Sequence, residues 1–207
     1  MVEYNAPVRD YEFLFKEMFD ALPIVQNLGY DFDSDFLSML TEGWAEHAKE
    51  VWLPINQLGD RVGLKFDDGN IFMPEEFKSA YNESIEGGWL STACKTEHGG
   101  MGVPLFFQSV TWAEIGTSTN MAMSVLPALT LGVYDVLVEH GERELIDYFA
   151  SKLASGKWAG TMCLTEPHAG TDLGIISTKA VPQDDGSYRV TGTKIFITYG
   201  EHDMSEN

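Results

Sequence analysis

The spacing of apolar residues changes once along this chain, near Lys157, and that change constrains the fold more than any other feature. Before Lys157, apolar residues recur at intervals of three and four, which is the spacing of one face of an α-helix. After it, short apolar runs alternate with turn residues, as they do in β-strands. The sequence therefore predicts an α+β fold, with an all-α helical domain over residues 1–156 and a partial β domain over residues 157–207.

Within the first domain the periodicity predicts helices over residues 10–22, 34–53, 74–85, 104–115, 120–139 and 142–154. Asp33 or Ser34 can cap the second helix, Pro54 can kink or restart it, and Pro74 suits the first residue of the third. The segment Asp67-Asp68-Gly69-Asn70 is typical of a turn in a small hairpin. The stretch 120–139 is almost wholly apolar, which predicts a central, buried helix.

The second domain has four predicted strands, at residues 158–164, 175–181, 188–190 and 194–198. Four short strands rarely form a stable closed sheet by themselves. We therefore expect these strands to be the first part of a larger β domain that is cut off before completion.

The net charge of −19 arises from 32 acidic and 13 basic residues, and it disfavours binding to nucleic acid or to anionic membranes. No apolar run approaches the roughly eighteen residues of a membrane span, and the first residues do not resemble a signal peptide. Two distant cysteines predict no disulfide, and the five histidines show no metal-ligand spacing. We expect a cytoplasmic protein without a metal site, and we attribute the acidity to solubility.

The segment from Thr165 to Gly174 follows an apolar run and contains two threonines, a glycine and successive backbone N–H groups. Gly170 allows another molecule to approach the backbone closely, and such a turn suits a phosphate or a ring carbonyl. Phe196 and Thr198 are expected on the same face of their strand, because side chains in a strand alternate. From the residues alone, this region is either a ligand pocket or a well-capped turn.

The motif T-E-P-x-x-G-[ST]-D in residues 165–172, followed by K-[IM]-[WF]-I-T in residues 194–198, resembles the flavin-cradling segments of the acyl-CoA dehydrogenase family. Upstream, the loop 97–102, the helix 112–116 and the segment 142–156 resemble further motifs of that family, although Thr96 replaces a usual proline. The segments 4–10 and 191–203 are similar to those of a bacterial subgroup. The resemblance covers nearly the whole chain, and it implies a β-barrel-like middle domain followed, beyond residue 207, by a C-terminal helical bundle.

Carried over position by position, the resemblance implies FAD as the cofactor. It places Thr171 at the pyrophosphate of FAD and, with Gly170, near the acyl-CoA substrate. The remaining cofactor contacts would face the isoalloxazine ring, with Phe196 against it and Thr198 near its reactive nitrogen; these contacts are Met162, Leu164, Thr165, Phe196 and Thr198.

The reaction implied by the resemblance is α,β-dehydrogenation of an acyl-CoA thioester to the 2-enoyl-CoA, with hydride transfer to FAD. In the family the catalytic base is a glutamate of the C-terminal domain, so no catalytic residue is expected within residues 1–207. Glu166 is expected to be structural, and Asp172 is expected to fix a turn. The chain alone is therefore expected to be inactive. The implied partners are acyl-CoA, an electron-transferring flavoprotein or similar acceptor, and further copies of the full-length protein.

Two alternatives come from other functional classes. A non-enzymatic helical binding or assembly module of the same fold would fold and associate without flavin. A flavin oxidase of the same superfamily would differ in how its site admits oxygen. A DNA-associated flavoprotein is disfavoured by the net charge of −19.

Overall fold

The computed structural model describes residues 3–207, in which the helices lie mainly before residue 155 and the second β-hairpin lies after it. The α-helices of this range are α1 (Val8–Glu12), α2 (Ala21–Asn27), α3 (Ser34–His47), α4 (Leu53–Val62), α5 (Glu75–Glu86), α6 (Leu105–His140) and α7 (Arg143–Ala154). Short π-helical turns, Phe13–Met18 and Ala48–Trp52, follow α1 and α3. The fold class is thus α+β, as predicted.

Two separate antiparallel hairpins contain the strands, which are β1 (Lys65–Asp67), β2 (Asn70–Phe72), β3 (Lys179–Pro182) and β4 (Tyr188–Thr191). In the first hairpin Lys65 pairs with Phe72, and in the second Lys179 pairs with Thr191. The β1–β2 loop is Asp68-Gly69, and both residues have positive φ, 47° and 87°. An Asp-Gly pair tolerates this conformation, and its twist matches that of the flanking strands.

The chain forms two compact units, which are described separately. One comprises the residues up to Gly160 together with Glu201–Asn207, and the other is Thr161–Gly200. The predicted boundary lay between residues 156 and 157, with the last seven residues in the second domain. The units differ from that prediction because residues 201–207 make their specific contacts in the helical unit.

The last seven residues are held to the helical unit at two places. Asp203 accepts hydrogen bonds from the backbone N–H of Met73, at 2.8 Å, and from Nζ of Lys78, at 2.6 Å. Further on, the backbone N–H of Glu206 donates to the carbonyl of Lys157, at 2.9 Å, and the backbone N–H of Ala159 donates to the carbonyl of Asn207, at 2.7 Å. These bonds bring the two chain segments that flank residues 161–200 side by side.

The helix boundaries follow local chemistry in most places. The side chain of Asp33 caps α3 by accepting a hydrogen bond from the N–H of Phe36, at 2.7 Å, as predicted. Pro74 immediately precedes α5 instead of being its first residue. The predicted helix 10–22 is divided at Asp20, whose φ of 42° is left-handed and ends the helical path before α2.

The long helix α6 joins the two helices predicted at 104–115 and 120–139. Its path is kinked at Asn120, which has non-helical backbone angles (φ −157°, ψ 97°). The Asn120 amide donates to the carbonyl of Trp52, at 3.1 Å, and accepts from the N–H of Met123, at 3.2 Å, as a capping side chain would. The second predicted helix therefore begins at this kink, and no loop separates it from the first.

The expectation that no apolar run approaches the length of a membrane span is wrong for α6. By length and composition alone, this helix is long and apolar enough to cross a membrane. Its apolar character has another physical basis in this structure, because α6 packs against α3, α4 and α7. One face is buried, including Leu126 and Met123, whereas Met121 and Val136 are each more than 60% exposed. The helix is thus half-buried, whereas a central, buried helix was predicted for residues 120–139.

The core of the helical unit is centred on the tryptophans of α3, the following π-turn and α6. Trp44 stacks on Trp112 with ring centroids 5.0 Å apart, and its indole N–H donates to the Trp112 carbonyl at 3.1 Å. Such aromatic contacts combine large apolar burial with a directional hydrogen bond. Trp52, which is fully buried, meets Trp44 edge to face at 4.9 Å.

A buried hydroxyl at Ser84 of α5 completes this core. It donates to the carbonyl of Ala80, at 2.8 Å, and accepts the indole N–H of Trp52, at 2.9 Å. Nε2 of His47 lies 2.8 Å from the same oxygen. Because the single hydroxyl proton is already donated, His47 must donate through Nε2–H. Burial lowers the pKa of His47 to about 4, so the imidazole is neutral at pH 7.

Candidate functional site

Residues 161–200 contain every residue that the sequence singles out for ligand binding. Apart from β3 and β4, this unit is built from turns and extended segments with few backbone pairs. The predicted strands 158–164 and 194–198 are not strands, because no neighbouring strand in residues 3–207 pairs with either along its length. The positions of the site residues therefore depend on specific side-chain bonds.

The carboxylate of Glu166 is the centre of those bonds. It is 2% exposed and accepts the backbone N–H and hydroxyl of Ser177, at 2.8 and 2.7 Å. Its other oxygen accepts the N–H and hydroxyl of Thr178, at 2.9 and 2.5 Å, and Nζ of Lys194 at 2.9 Å. Five donors thus surround one carboxylate, which fixes its orientation completely.

These donors also decide its protonation state. The hydrogen bond from the Thr178 hydroxyl, followed by those from Lys194 and Ser177, holds the pKa of Glu166 well below its usual range. A carboxylate with this pKa and with its lone pairs occupied is not arranged to accept a proton from a substrate. The geometry agrees with a structural role for Glu166.

Lys194 connects the two motif segments. In addition to Glu166, its Nζ donates to the carbonyl of Leu164 at 2.9 Å. The next residue, Ile195, donates its N–H to the carbonyl of Thr165 at 2.8 Å. Residues 164–166 and 194–195, which are far apart in sequence, therefore lie side by side. Lys194, Ser177 and Thr178 were not among the predicted site residues, although the leading lysine of K-I-F-I-T was a visible signal.

The turn after Glu166 is also fixed locally. Glu166 and Ala169 exchange two backbone hydrogen bonds, both of 3.0 Å. The Asp172 carboxylate accepts the N–H of Gly174 at 3.0 Å, which is a turn-fixing role as expected. His168 lies on the exposed side of the turn, with Nε2 3.1 Å from the carbonyl of Ile175.

The predicted contact residues of this unit face outward. Met162 is 63% exposed and Phe196 is 87% exposed. A Cβ atom built on Gly170 would meet nothing within 4 Å, so its backbone is open to approach. The hydroxyls of Thr165 and Thr171 donate to no protein acceptor within residues 3–207. The unit thus presents apolar side chains and free hydroxyl donors on an ordered frame.

The expectation that Phe196 and Thr198 share a strand face is wrong. Phe196 has a φ of 56° and Tyr199 a φ of 54°, both in the left-handed region. Strand alternation does not apply across such residues. Instead, Thr198 is held through its carbonyl, which accepts a hydrogen bond from the Thr161 hydroxyl. Left-handed non-glycine residues are uncommon and occur often at functional sites.

Comparison with known proteins shows which proteins this segment and the whole chain are similar to. Residues 161–204 match the middle domain of acyl-CoA dehydrogenases. Over 99% of its length the chain is 39% identical to 3-methylmercaptopropionyl-CoA dehydrogenase of Ruegeria pomeroyi and 34% identical to a butyryl-CoA dehydrogenase of Syntrophomonas wolfei. It covers 35% and 34% of those proteins, so the chain spans about a third of the curated relatives it matches.

The fold shows the same relationship. The structure of butyryl-CoA dehydrogenase from Megasphaera elsdenii superposes with a TM-score of 0.66 over 83% of this chain and 43% of that one, at 23% identity. The chain has the fold of the N-terminal and part of the middle domain of acyl-CoA dehydrogenases, and its sequence is similar to proteins of that family. The similarity to 3-methylmercaptopropionyl-CoA dehydrogenase extends over nearly the whole chain, in agreement with the resemblance of the segments 4–10 and 191–203 to a bacterial subgroup.

Proposed function

We propose that residues 161–200 form one wall of an FAD site, and that this wall serves the α,β-dehydrogenation of an acyl-CoA thioester. The observation that carries the proposal is the buried Glu166–Lys194 pair, which fastens the two motif segments to each other at 2.9 Å. A surface built only to cap a turn does not need a second, distant segment fixed beside it. The pair explains why both motifs occur together in one sequence.

The residues on this wall fit the cofactor that the family uses. Thr165 and Thr171 offer unpaired hydroxyl donors, which suit the ring carbonyls and the pyrophosphate of FAD. Met162, Leu164 and Phe196 offer exposed apolar surface for the isoalloxazine ring and would exclude water there. When bound, FAD supplies the acceptor for the hydride. The open backbone at Gly170 leaves space for the acyl-CoA to approach.

We assign no proton-transfer role to the residues of this wall. Glu166 is its buried carboxylate, and that group is engaged by Ser177, Thr178 and Lys194. Removal of the α-proton of a thioester requires a positioned base near the substrate. We therefore propose that residues 1–207 alone do not turn over acyl-CoA and that the base comes from another part of the full-length enzyme. We further propose that the full-length enzyme has an electron-transferring flavoprotein or a similar acceptor as its partner and that it assembles into a homo-oligomer.

The proposal is tested by titrating the chain with FAD and recording the visible spectrum of the protein after gel filtration. The wild-type protein should retain flavin with a shifted spectrum. Thr171→Val should weaken FAD binding about tenfold, because a hydrogen bond to a charged group is lost. Thr191→Val, a change at an exposed position on β4, is the matched control and should bind as the wild type does. Equal affinity of the two variants would contradict the assignment of Thr171, and turnover by the chain alone would contradict the missing base.

A further inference from the structure

The hairpin formed by β1 and β2 is exposed to solvent, and both of its edges are open. All of its strand residues are exposed except Ile71, which is half-buried. Phe66 is 70% exposed, although phenylalanine is among the side chains most often buried in folded proteins. No other strand in residues 3–207 pairs with either edge. Because an isolated two-stranded hairpin is marginally stable in water, a further strand on one edge would stabilise it.

The backbone of β1 shows which of its residues can bond to a further strand. Asp67 and Asn70 flank the two-residue loop and pair with each other, and Lys65 pairs with Phe72. In an antiparallel pair, residues alternately bond to the partner strand and direct their N–H and C=O groups away from it. The loop is closed by a bond between its flanking residues, so the residue of β1 that faces outward is Phe66. Its N–H and C=O have no backbone partner in the part of the chain that the structure describes.

The side chains of β1 are complementary to themselves about Phe66. When two copies of β1 pair antiparallel with the two-fold axis at Phe66, Lys65 of each copy lies opposite Asp67 of the other. The two phenyl rings meet on the other face of the sheet, because side chains alternate along a strand. Lys65 and Asp67 are available for this pairing, since their side chains are 71% and 60% exposed. Opposite charges directly across an antiparallel pair stabilise it.

Other registers lack this complementarity. A two-fold axis at Lys65 or at Asp67 would place like charges opposite each other, and the backbone groups of these residues are already directed at β2. A shift by one residue would place the apolar face of one copy beside the polar face of the other. On the outer edge of β2, an axis at Ile71 would place Asn70 opposite Phe72, without a charge pair.

We propose that the outer edge of β1 is a self-association surface, on which a second copy of this chain adds its own β1 to form a four-stranded antiparallel sheet. The surface lies in the helical unit and outside residues 161–200, so the proposal does not depend on the flavin site. Three strand residues from each copy make a contact smaller than the roughly 1,200 Å² at which stable interfaces begin. The dimer is therefore weak, and its population rises with protein concentration.

Sedimentation velocity of the 207-residue chain, at concentrations up to about 1 mM and at about 150 mM salt, measures this association. The wild type should form dimers as the concentration rises. Lys65→Glu and Asp67→Lys each place like charges opposite one another at two symmetric positions, so each should raise the dissociation constant about tenfold. The double exchange Lys65→Glu with Asp67→Lys restores opposite charges and the net charge of −19, and it should dimerise as the wild type does.

Arg143→Glu is the control for net charge, because it changes that charge as Lys65→Glu does. Arg143 is the first residue of α7 and its side chain is 82% exposed. An acidic residue is favoured at the start of a helix, so this change should preserve the fold. Its dissociation constant should equal that of the wild type.

Disulfide crosslinking tests which edge forms the contact. A Cys163→Ser background leaves only Cys94, which is buried. In that background Phe66→Cys should form a linked dimer under mild oxidation, because Cα atoms of a hydrogen-bonded pair lie about 5.5 Å apart, within reach of a disulfide. Ile71→Cys is the matched control. Its two copies would lie three strand spacings apart, roughly 14 Å, and should not be linked.

A chain that remains monomeric at about 1 mM would overturn the proposal. Dimers that Lys65→Glu does not weaken, or that the double exchange does not restore, would overturn it as well, because another surface would then be responsible. Equal crosslinking of Phe66→Cys and Ile71→Cys would refute the assigned edge. Should a charge variant fail to fold, the two cysteine variants still decide between these outcomes.

Discussion

Two adjacent glycines, Gly99 and Gly100, let the same substitution test two different physical constraints. A Cβ atom on Gly100 would lie 2.1 Å from the carbonyl oxygen of Cys94 and 2.4 Å from its carbonyl carbon. Both are backbone atoms, so no side-chain rotation can relieve the contact. A Cβ on Gly99 would meet nothing within 4 Å, but Gly99 has a φ of 92°, which residues with a side chain rarely adopt.

The expected cost of Gly100→Ala follows from what must move. The Cys94 carbonyl accepts the N–H of Gly102 at 2.9 Å, and Gly100 donates to Lys95 at 3.0 Å. Opening the turn loses about 1 kcal/mol for each of these bonds, in addition to about 1–3 kcal/mol of overpacking. The lower entropy of the unfolded alanine chain offsets up to about 1 kcal/mol, which leaves a net loss of about 3 kcal/mol. Gly99→Ala should lose only about 1–2 kcal/mol, the cost of a left-handed alanine.

Urea unfolding followed by tryptophan fluorescence measures this difference. All five tryptophans lie at or before residue 158, within the helical unit, so the signal reports that unit alone. The midpoint should fall for both variants and fall further for Gly100→Ala. If Gly99→Ala were the more damaging change, or if both cost less than about 0.5 kcal/mol, the reasoning from the Cys94 contact would be refuted.

Three further changes test other contacts of the helical unit. Ser84→Ala leaves the buried N–H of Trp52 unpaired and should cost about 2 kcal/mol in the same assay, whereas a loss below about 0.5 kcal/mol would contradict the hydrogen-bond assignment. His47 has a folded pKa of about 4 against 6.5 when unfolded, so its contribution to stability is present above pH 6.5 and is lost as the pH falls towards 4. Because the ring is partly exposed, we expect this loss to be about 1–2 kcal/mol of the free energy of unfolding. It is measured as the difference in stability between the wild type and His47→Gln across that pH range. Asp203→Asn removes the half-buried ion pair with Lys78 and should cost about 1 kcal/mol, with a smaller effect in high salt; a cost that does not depend on salt would argue against the ion pair.

The parts of the fold that were predictable depend on residues close together in sequence. The cap at Asp33, the hairpin turn at Asp68-Gly69 and the separation of helical from β-rich segments each follow from a few neighbouring side chains. The network around Glu166 could be anticipated only in part. Its carboxylate was expected to be structural, but its partners Ser177 and Thr178 carry no local signal, because their role depends on a contact across eleven or twelve residues.

Other features depend on contacts that no local pattern encodes. The half-exposed state of α6 follows from which helices pack against it, whereas its apolar sequence alone predicted a central, buried helix. The left-handed backbone at Phe196 broke an alternation that the residue types favoured. Residues 201–207 continue directly from the second motif, yet Asp203 is bound by Met73 and Lys78, about 130 residues earlier.

This return of the chain has a consequence for the order in which a ribosome-bound chain can fold. The helical unit lacks the Asp203 anchor and the backbone bonds of Glu206 and Asn207 until those residues have been synthesised. Residues 161–200 are made before then, and contacts within them, such as the Glu166–Lys194 pair and the Thr161–Thr198 bond, can offset part of the entropic cost of closing this loop. The late contacts supply the remaining bonds to the helical unit. Most helices of the unit can therefore pack early during synthesis, but the unit reaches its full stability only when its last few residues leave the exit tunnel.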